Sequence, residues 1–395
     1  MLSYKQYFGT ALEAMEDTLH FAAHSHHLWP DVTRDAMLVC WRDGAGLNDA
    51  KWGRVFGEVI PEAQRHIANT LSLPKPEQIV FGPNVHGFFL RLLSCLPADS
   101  PPRILSTDGE FHSFSRQAKR LAEDRLIALD SVPCDPFDTL CDRLCSALAD
   151  NTYDLVYLSQ VFFDSGRALP WIEKILGAVR DADTLIAIDG YHGFMALPTD
   201  LSGIADRVFY LAGGYKYAMS GEGCCFMAVP PGCKLRPRDT GWYASFSTLA
   251  GQADRVAYAD DGWRFAGATF DPAGVYRMNA VFRWLDEIGL TVGAMHQRAA
   301  ALQSQFLDRL TALKHPQLNA DTLLGGPGDG QGRFLTFDLG SAGAALSFTN
   351  ALEKAGVRID SRAGRVRFGF GLYHDPADID ALTQRIQHLH TGAAP

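Results

Sequence analysis

The chain has 395 residues, 47% of them hydrophobic and 21% charged, with a net charge of −9. That length and balance can bury a large core and predict a soluble protein of about two domains. The acidic charge and the lack of a basic tract argue against nucleic acid or an anionic membrane as the main partner, leaving a small molecule held by local groups.

In chain order, the first stretch, MLSYKQYFGTALEAMEDTLHFAA, is interrupted by Lys5, Glu13, Glu16 and Asp17, unlike a signal peptide. No apolar run reaches the roughly 18 residues of a membrane span, so a cytoplasmic location is expected. The segment AAHSHHLWPD, residues 22–31, carries His24, His26 and His27. With no acidic partner at ligand spacing they predict no metal site, and are expected to line a substrate pocket or cap a loop. Eight cysteines lack a zinc-type C-x-x-C pair and are expected to be free thiols; Cys141 and Cys145, at helical spacing, read as packing.

Next come QIVFGP, PRILSTD, DLVYLSQ, TLIAIDG and RVFYLAGG, short apolar runs separated by helical patterns. They predict an α/β fold, a mainly parallel sheet covered by helices on both faces. From Val275 to Leu313 a long helical stretch carries Met278, Val281, Leu285 and Ile288 on one face. GGPGDGQGR then predicts a turn, RFLTFDL a strand, LSFTNALEKAG a helix and RVRFGFGLY another strand. The expected organisation is an N-terminal arm over 1–30 that forms part of the small domain, a large α/β domain over 31–274 and a small α+β domain over 275–395.

Ligands of such sheets lie beyond the carboxyl ends of the strands, so four strand ends matter most. LIAIDGYHGF ends in Asp189, either a turn or cap residue or a ligand group. GGYKYAMSGEG presents Lys216, either a surface lysine or a desolvated amine with a depressed pKa. GPNVHGFF opens a helix near Asn84, whose N-H groups can hold a phosphate if Asn84 is more than an ordinary cap. STDGEFHSF supplies Phe111, either packing or an aromatic face. A carboxylate, an amine, a phosphate cup and an aromatic face at one sheet edge are the parts needed to hold pyridoxal phosphate.

With these residues the sequence resembles the class V, fold-type I pyridoxal-phosphate enzymes, and most of all kynureninase. Nearly the whole chain takes part in the resemblance. Asp189-Gly190-Tyr191-His192 matches the family's D-x-x-H, and Gly214-Tyr215-Lys216-Tyr217 its S-Y-K-Y. The resemblance implies Lys216 as the Schiff-base lysine, Asp189 on the pyridinium nitrogen and His192 near the cofactor. It implies Tyr215 as phosphate ligand and proton donor, Phe111 as the stacking ring, and Asn84 and Val85 as the phosphate cup. QVFFDSG contributes Ser165, TGWYASFS places Trp242 or Tyr243 near the phosphate, and RFAGATFDP offers Thr269 from a second subunit of a homodimer with shared sites.

RVRFGFGLYHDPADID matches the strand whose arginine, Arg367, binds the carboxylate of an amino-acid substrate, a role suited to a guanidinium fork. Arg365 and Arg362 remain alternatives, and His26 and His27 are expected at the substrate. The implied activity is kynureninase-like hydrolysis of the Cβ–Cγ bond of a γ-keto amino acid, with class V aminotransfer as the alternative. A desulfurase needs a nucleophilic cysteine in the C-terminal domain, and no cysteine follows Cys233.

Overall fold

The computed structural model describes residues 2–248, 254–328 and 330–391. The predicted apolar runs form a seven-stranded sheet in the order Ile79–Gly82, Cys225–Ala228, Val208–Gly213, Leu185–Asp189, Leu155–Ser159, Arg103–Thr107, Ala128–Val132. Cys225–Ala228 is antiparallel to both its neighbours and the other strand pairs are parallel. The expected α/β fold with a mainly parallel sheet is therefore the observed one.

Alternation along the strands explains why their sequences are continuously apolar. Val156, Leu158, Ile186, Ile188 and Tyr210 enter the core on one face, while Leu155, Tyr157, Ala187, Phe209 and Leu211 enter that on the other. Both faces are dry, so no polar alternation survives in the sequence. In register, Ser159 lies beside Asp189 and Asp189 beside Leu211, which aligns three strand ends on one rim.

A second, three-stranded antiparallel sheet has the order Asp360–Arg362, Arg365–Gly369, Phe334–Asp338. Helices Val292–Leu313, Ala342–Lys354 and Pro376–Thr391 share its apolar core through Phe306, Leu352 and Leu382. The N-terminal segment is tied to the same region, because Leu19–His20 pairs in parallel with Val357–Arg358 and Ala22 bridges Gly369. Glycine is required at 369, where an added Cβ would stand 2.3 Å from His24 Nδ1.

Four elements differ from expectation. The helix expected over 275–313 is two, Ala273–Glu287 and Val292–Leu313. Gly289 sits between them at φ +64° and the Thr291 hydroxyl caps the second by accepting from Ala294 N at 3.2 Å. Strands Ala128–Val132 and Cys225–Ala228 were not expected. The first is an edge strand with mixed exposure and the second has only four residues behind a glycine-rich loop. Finally, the RVRFGFGLY strand ends at Gly369.

Among the described residues no helix is long and apolar enough to cross a membrane, and no group of three His, Cys, Asp or Glu side chains could hold a metal ion. All eight cysteines are free thiols.

Candidate active site

Asp189 ends its strand with both carboxylate oxygens engaged. Tyr191 N donates to Oδ1 at 3.0 Å and the Tyr157 hydroxyl to Oδ2 at 3.0 Å. Burial raises its pKa above the usual carboxylate range, while those two donors and Lys216 pull the other way.

Lys216 stands just past the end of Val208–Gly213, in a loop closed by backbone bonds from Gly214 N to Cys224 O, 2.8 Å, and from Ser220 N to Gly214 O, 2.9 Å. The turn back toward Cys225 passes through Gly221 at φ +72°, a conformation that favours glycine. The loop leaves Lys216 only 4% exposed. Burial, reinforced by Arg367, lowers its pKa to about 7 against the opposing pull of Asp189.

Nζ of Lys216 lies 2.6 Å from His192 Nε2. Burial, then Lys216 and Arg367, hold the His192 pKa well below its ordinary value. The imidazole is therefore neutral, with Nε2 in hydrogen-bond range of the amine and Nδ1 buried without a partner. Three aromatic rings surround the amine, with centroids 4.8 Å away for Tyr191, 5.5 Å for Phe111 and 5.7 Å for Tyr215.

Asp189, His192, Lys216, Tyr215 and Phe111 line one cavity of about 240 Å³, and Asn84 and Val85 open into it from the start of helix Val85–Leu93. Asn84 Oδ1 caps this helix by accepting from Gly87 N at 2.8 Å. The cap uses one donor of the first turn, Gly87 N, so capping and phosphate binding at this helix start are compatible. A buried amine, a buried carboxylate, an aromatic face and a helix start around one cavity fit pyridoxal phosphate.

The remaining expected residues lie elsewhere. Ser165 is not in the cavity; its hydroxyl accepts from Arg167 N at 3.3 Å and its carbonyl from Gln331 Nε2 at 3.2 Å, which fixes a turn. Trp242 and Thr269 line a separate aromatic cleft with Trp52, Phe56 and Trp263, so Trp242 does not border this chain's own cavity. His27 is a packing residue, contrary to expectation. Its Nδ1 bonds to Leu28 O at 2.7 Å, its Nε2 accepts from Leu372 N at 3.2 Å, and it packs on Tyr217 and Tyr373.

His26 is at the surface, stacked 5.0 Å from Tyr215 with Nε2 3.5 Å from Glu222 at the cavity rim. Arg367 is buried behind the cavity wall and donates to the Asp360 carboxylate and to the carbonyl of Phe163, a lining residue. Arg365 is paired with Asp164 and Arg362 with Asp360.

Sequence reasoning missed Tyr157, Tyr191 and Glu110. Glu110 is fully buried and accepts from the hydroxyls of Thr107 and Ser159. Burial, with Asp189 close by, pushes its pKa up to about 8. Its place directly before Phe111 was the available signal.

The Lys216 value gives a pH dependence with a definite sign. The neutral amine is the nucleophile. With a pKa of about 7, its neutral share rises from about a tenth at pH 6 to about nine tenths at pH 8. Recapture of pyridoxal phosphate by stripped protein, followed by absorbance in stopped flow, should quicken about ninefold across that interval and then level. A rate still climbing above pH 9 would mean an ordinary lysine.

Comparison with known proteins agrees with this fold and with a pyridoxal-phosphate cofactor. The family model Aminotransferase class-V matches residues 48–382. A cysteine desulfurase of Yersinia pseudotuberculosis serotype IB (strain PB1/+) is 23% identical over 301 residues, covering 72% of this chain and 70% of the relative. Among solved structures, the cysteine desulfurase CsdA of Escherichia coli superposes with a TM-score of 0.82 at 16% identity, covering 99% of this chain and 98% of that one. A C-DES mutant with glycine covalently linked to the PLP cofactor gives 0.80 at 19%, covering 98% and 99%. Two of these relatives are cysteine desulfurases and C-DES is a cystine C-S lyase; none of the three is a kynureninase, so the resemblance holds at the level of the class. The chain belongs to the class V aminotransferase family, whose cofactor is pyridoxal 5′-phosphate.

Proposed function

We propose that the chain converts an α-amino acid by moving the proton on its Cα, with transfer of the amino group to a keto acid as the reaction. The observation that carries this is the Lys216 amine, buried in the cavity, held by His192 and half neutral near pH 7. When bound, pyridoxal phosphate supplies an electron sink for the pair left at Cα.

Lys216, with a pKa near the working pH, takes and returns the proton. His192 orients the amine through its Nε2. Asp189 would hold a proton at the ring nitrogen of the cofactor, Phe111 would cover its ring, and Asn84 and Val85 would receive its phosphate at the helix start. Arg367 takes the α-carboxylate. Trp242 and Thr269 are assigned to the phosphate of a second copy in a homodimer. The class V family match supports this reading over kynureninase. Desulfuration is disfavoured, since no cysteine follows Cys233.

One observation favours hydrolysis as a second reading. The Tyr215 phenol lies in the cavity next to the amine, and burial lifts its pKa to about 12, which keeps it a proton donor. An assay with a panel of amino acids, kynurenine and 3-hydroxykynurenine, with and without a keto acid, separates the two. Turnover that requires the keto acid is the expected result. Release of alanine and an aromatic acid without a keto acid would replace it with the hydrolase, and in that case Tyr215→Phe should cut turnover about a hundredfold while leaving cofactor uptake intact.

A further inference from the structure

Arg367, the group assigned above to the substrate carboxylate, is already engaged. One of its terminal nitrogens donates to Asp360 Oδ2 and the other to the Phe163 carbonyl, while its Nε has no partner. Asp360 lies directly opposite Arg367 in the antiparallel register, and its Oδ1 accepts from Arg362 at 2.8 Å.

Beside this pair stands His24, fully buried and stacked on Phe334 at 4.7 Å. Neither ring nitrogen of His24 has a hydrogen-bond partner. Its Nε2 is 3.8 Å from the same Asp360 Oδ2 that Arg367 holds, beyond hydrogen-bond range. A buried imidazole with both nitrogens idle is costly, and its nearest acceptor is committed elsewhere.

We propose that Asp360 is a built-in stand-in for the substrate carboxylate. When an amino-acid carboxylate takes Arg367, Asp360 Oδ2 passes to His24 Nε2–H, and the His24–Asp360 pair thereby sets how strongly the site selects carboxylate-bearing ligands. This rests on the assignment of Arg367 above.

Two carboxylates on one buried guanidinium repel, so the incoming group must displace the resident one. The displaced carboxylate is still half-buried, with its side chain 13% exposed, and gains from a donor. His24 Nε2 lies only about half an ångström outside hydrogen-bond range, while Arg362 keeps hold of Oδ1 as a pivot. Charge stays balanced throughout: Arg367 exchanges one carboxylate for another, Asp360 retains Arg362, and His24 donates as a neutral ring.

The test uses the pyridoxal-phosphate-loaded protein and two non-reactive probes of similar shape, propionate and propionamide, with binding measured by calorimetry. Wild type should prefer propionate. Asp360→Asn removes the competitor and should tighten propionate about tenfold without affecting propionamide. His24→Phe should weaken propionate about tenfold in the wild-type background and have no effect in the Asp360→Asn background. His24→Gln, which keeps a donor, should bind like wild type and controls for packing.

Weaker propionate binding in Asp360→Asn would overturn the proposal, making Asp360 a fixed support for Arg367. An equal loss from His24→Phe in both backgrounds would do the same, making His24 a packing residue. Loaded wild-type protein that fails to distinguish the probes would overturn the Arg367 assignment and this inference together. Protein that takes up no cofactor would overturn the functional reading itself.

Discussion

Replacing Lys216 with alanine is expected to abolish the visible absorption of bound pyridoxal phosphate and to lower turnover by on the order of 10⁴-fold or more, with the fold intact. In the proposed reading the amine would be both the anchor for the cofactor and the base at Cα, so one substitution would remove two functions. Stability should change little because opposing terms meet at this position. Alanine removes an amine whose burial is unfavourable, as its lowered pKa records. It also leaves His192 Nε2 without its partner at 2.6 Å, a loss of about 1–3 kcal/mol if the nitrogen stays dry. The space vacated joins an existing cavity, so water can reach that nitrogen. Thermal unfolding within a few degrees of wild type, together with a colourless protein, is the expected pair of results. A variant that keeps the visible band would remove Lys216 from the assignment.

The sequence made Lys216, Asp189 and Phe111 legible for a common reason: each lies at, or within four residues past, the end of a strand with an apolar sequence. Tyr157 was hidden because it lies inside such a run, where tyrosine is ordinary strand composition; only the strand register shows its hydroxyl meeting Asp189. Glu110 looked like a turn acid, and its partners Thr107 and Ser159 come from two different strands.

The histidines at 24 to 27 illustrate the same limit more sharply. Three imidazoles in four residues diverge to a buried ion pair, an exposed rim and a packed core, because the chain turns between them and no periodicity governs an irregular segment. In the fold, the parallel strands were legible from their length and burial. The antiparallel Cys225–Ala228 was not, since four residues after GEG carry too little pattern to separate a strand from a loop. The break at Gly289 was written in the sequence as glycine followed by a threonine cap, but an apolar face continuing on either side hid it.

Asp189→Asn should lower turnover by on the order of 10²–10⁴-fold while the protein still captures pyridoxal phosphate. The substitution isolates charge from shape. Asparagine keeps one oxygen to accept from Tyr191 N, and the Tyr157 hydroxyl can turn to accept from the amide, so both bonds of the carboxylate have a replacement. What disappears is the negative charge that, in the proposed reading, would keep the ring nitrogen of the cofactor protonated and so let the ring serve as an electron sink. That charge also acts on Lys216, since Asp189 is the main influence raising the amine's pKa against burial. Without it the amine should lose its proton more readily, and the midpoint of cofactor recapture against pH should fall below about 7. Slow turnover, retained capture and a lowered midpoint together separate a lost charge from a damaged site. An unchanged midpoint would show that the two groups do not interact, and unchanged turnover would take Asp189 off the ring nitrogen.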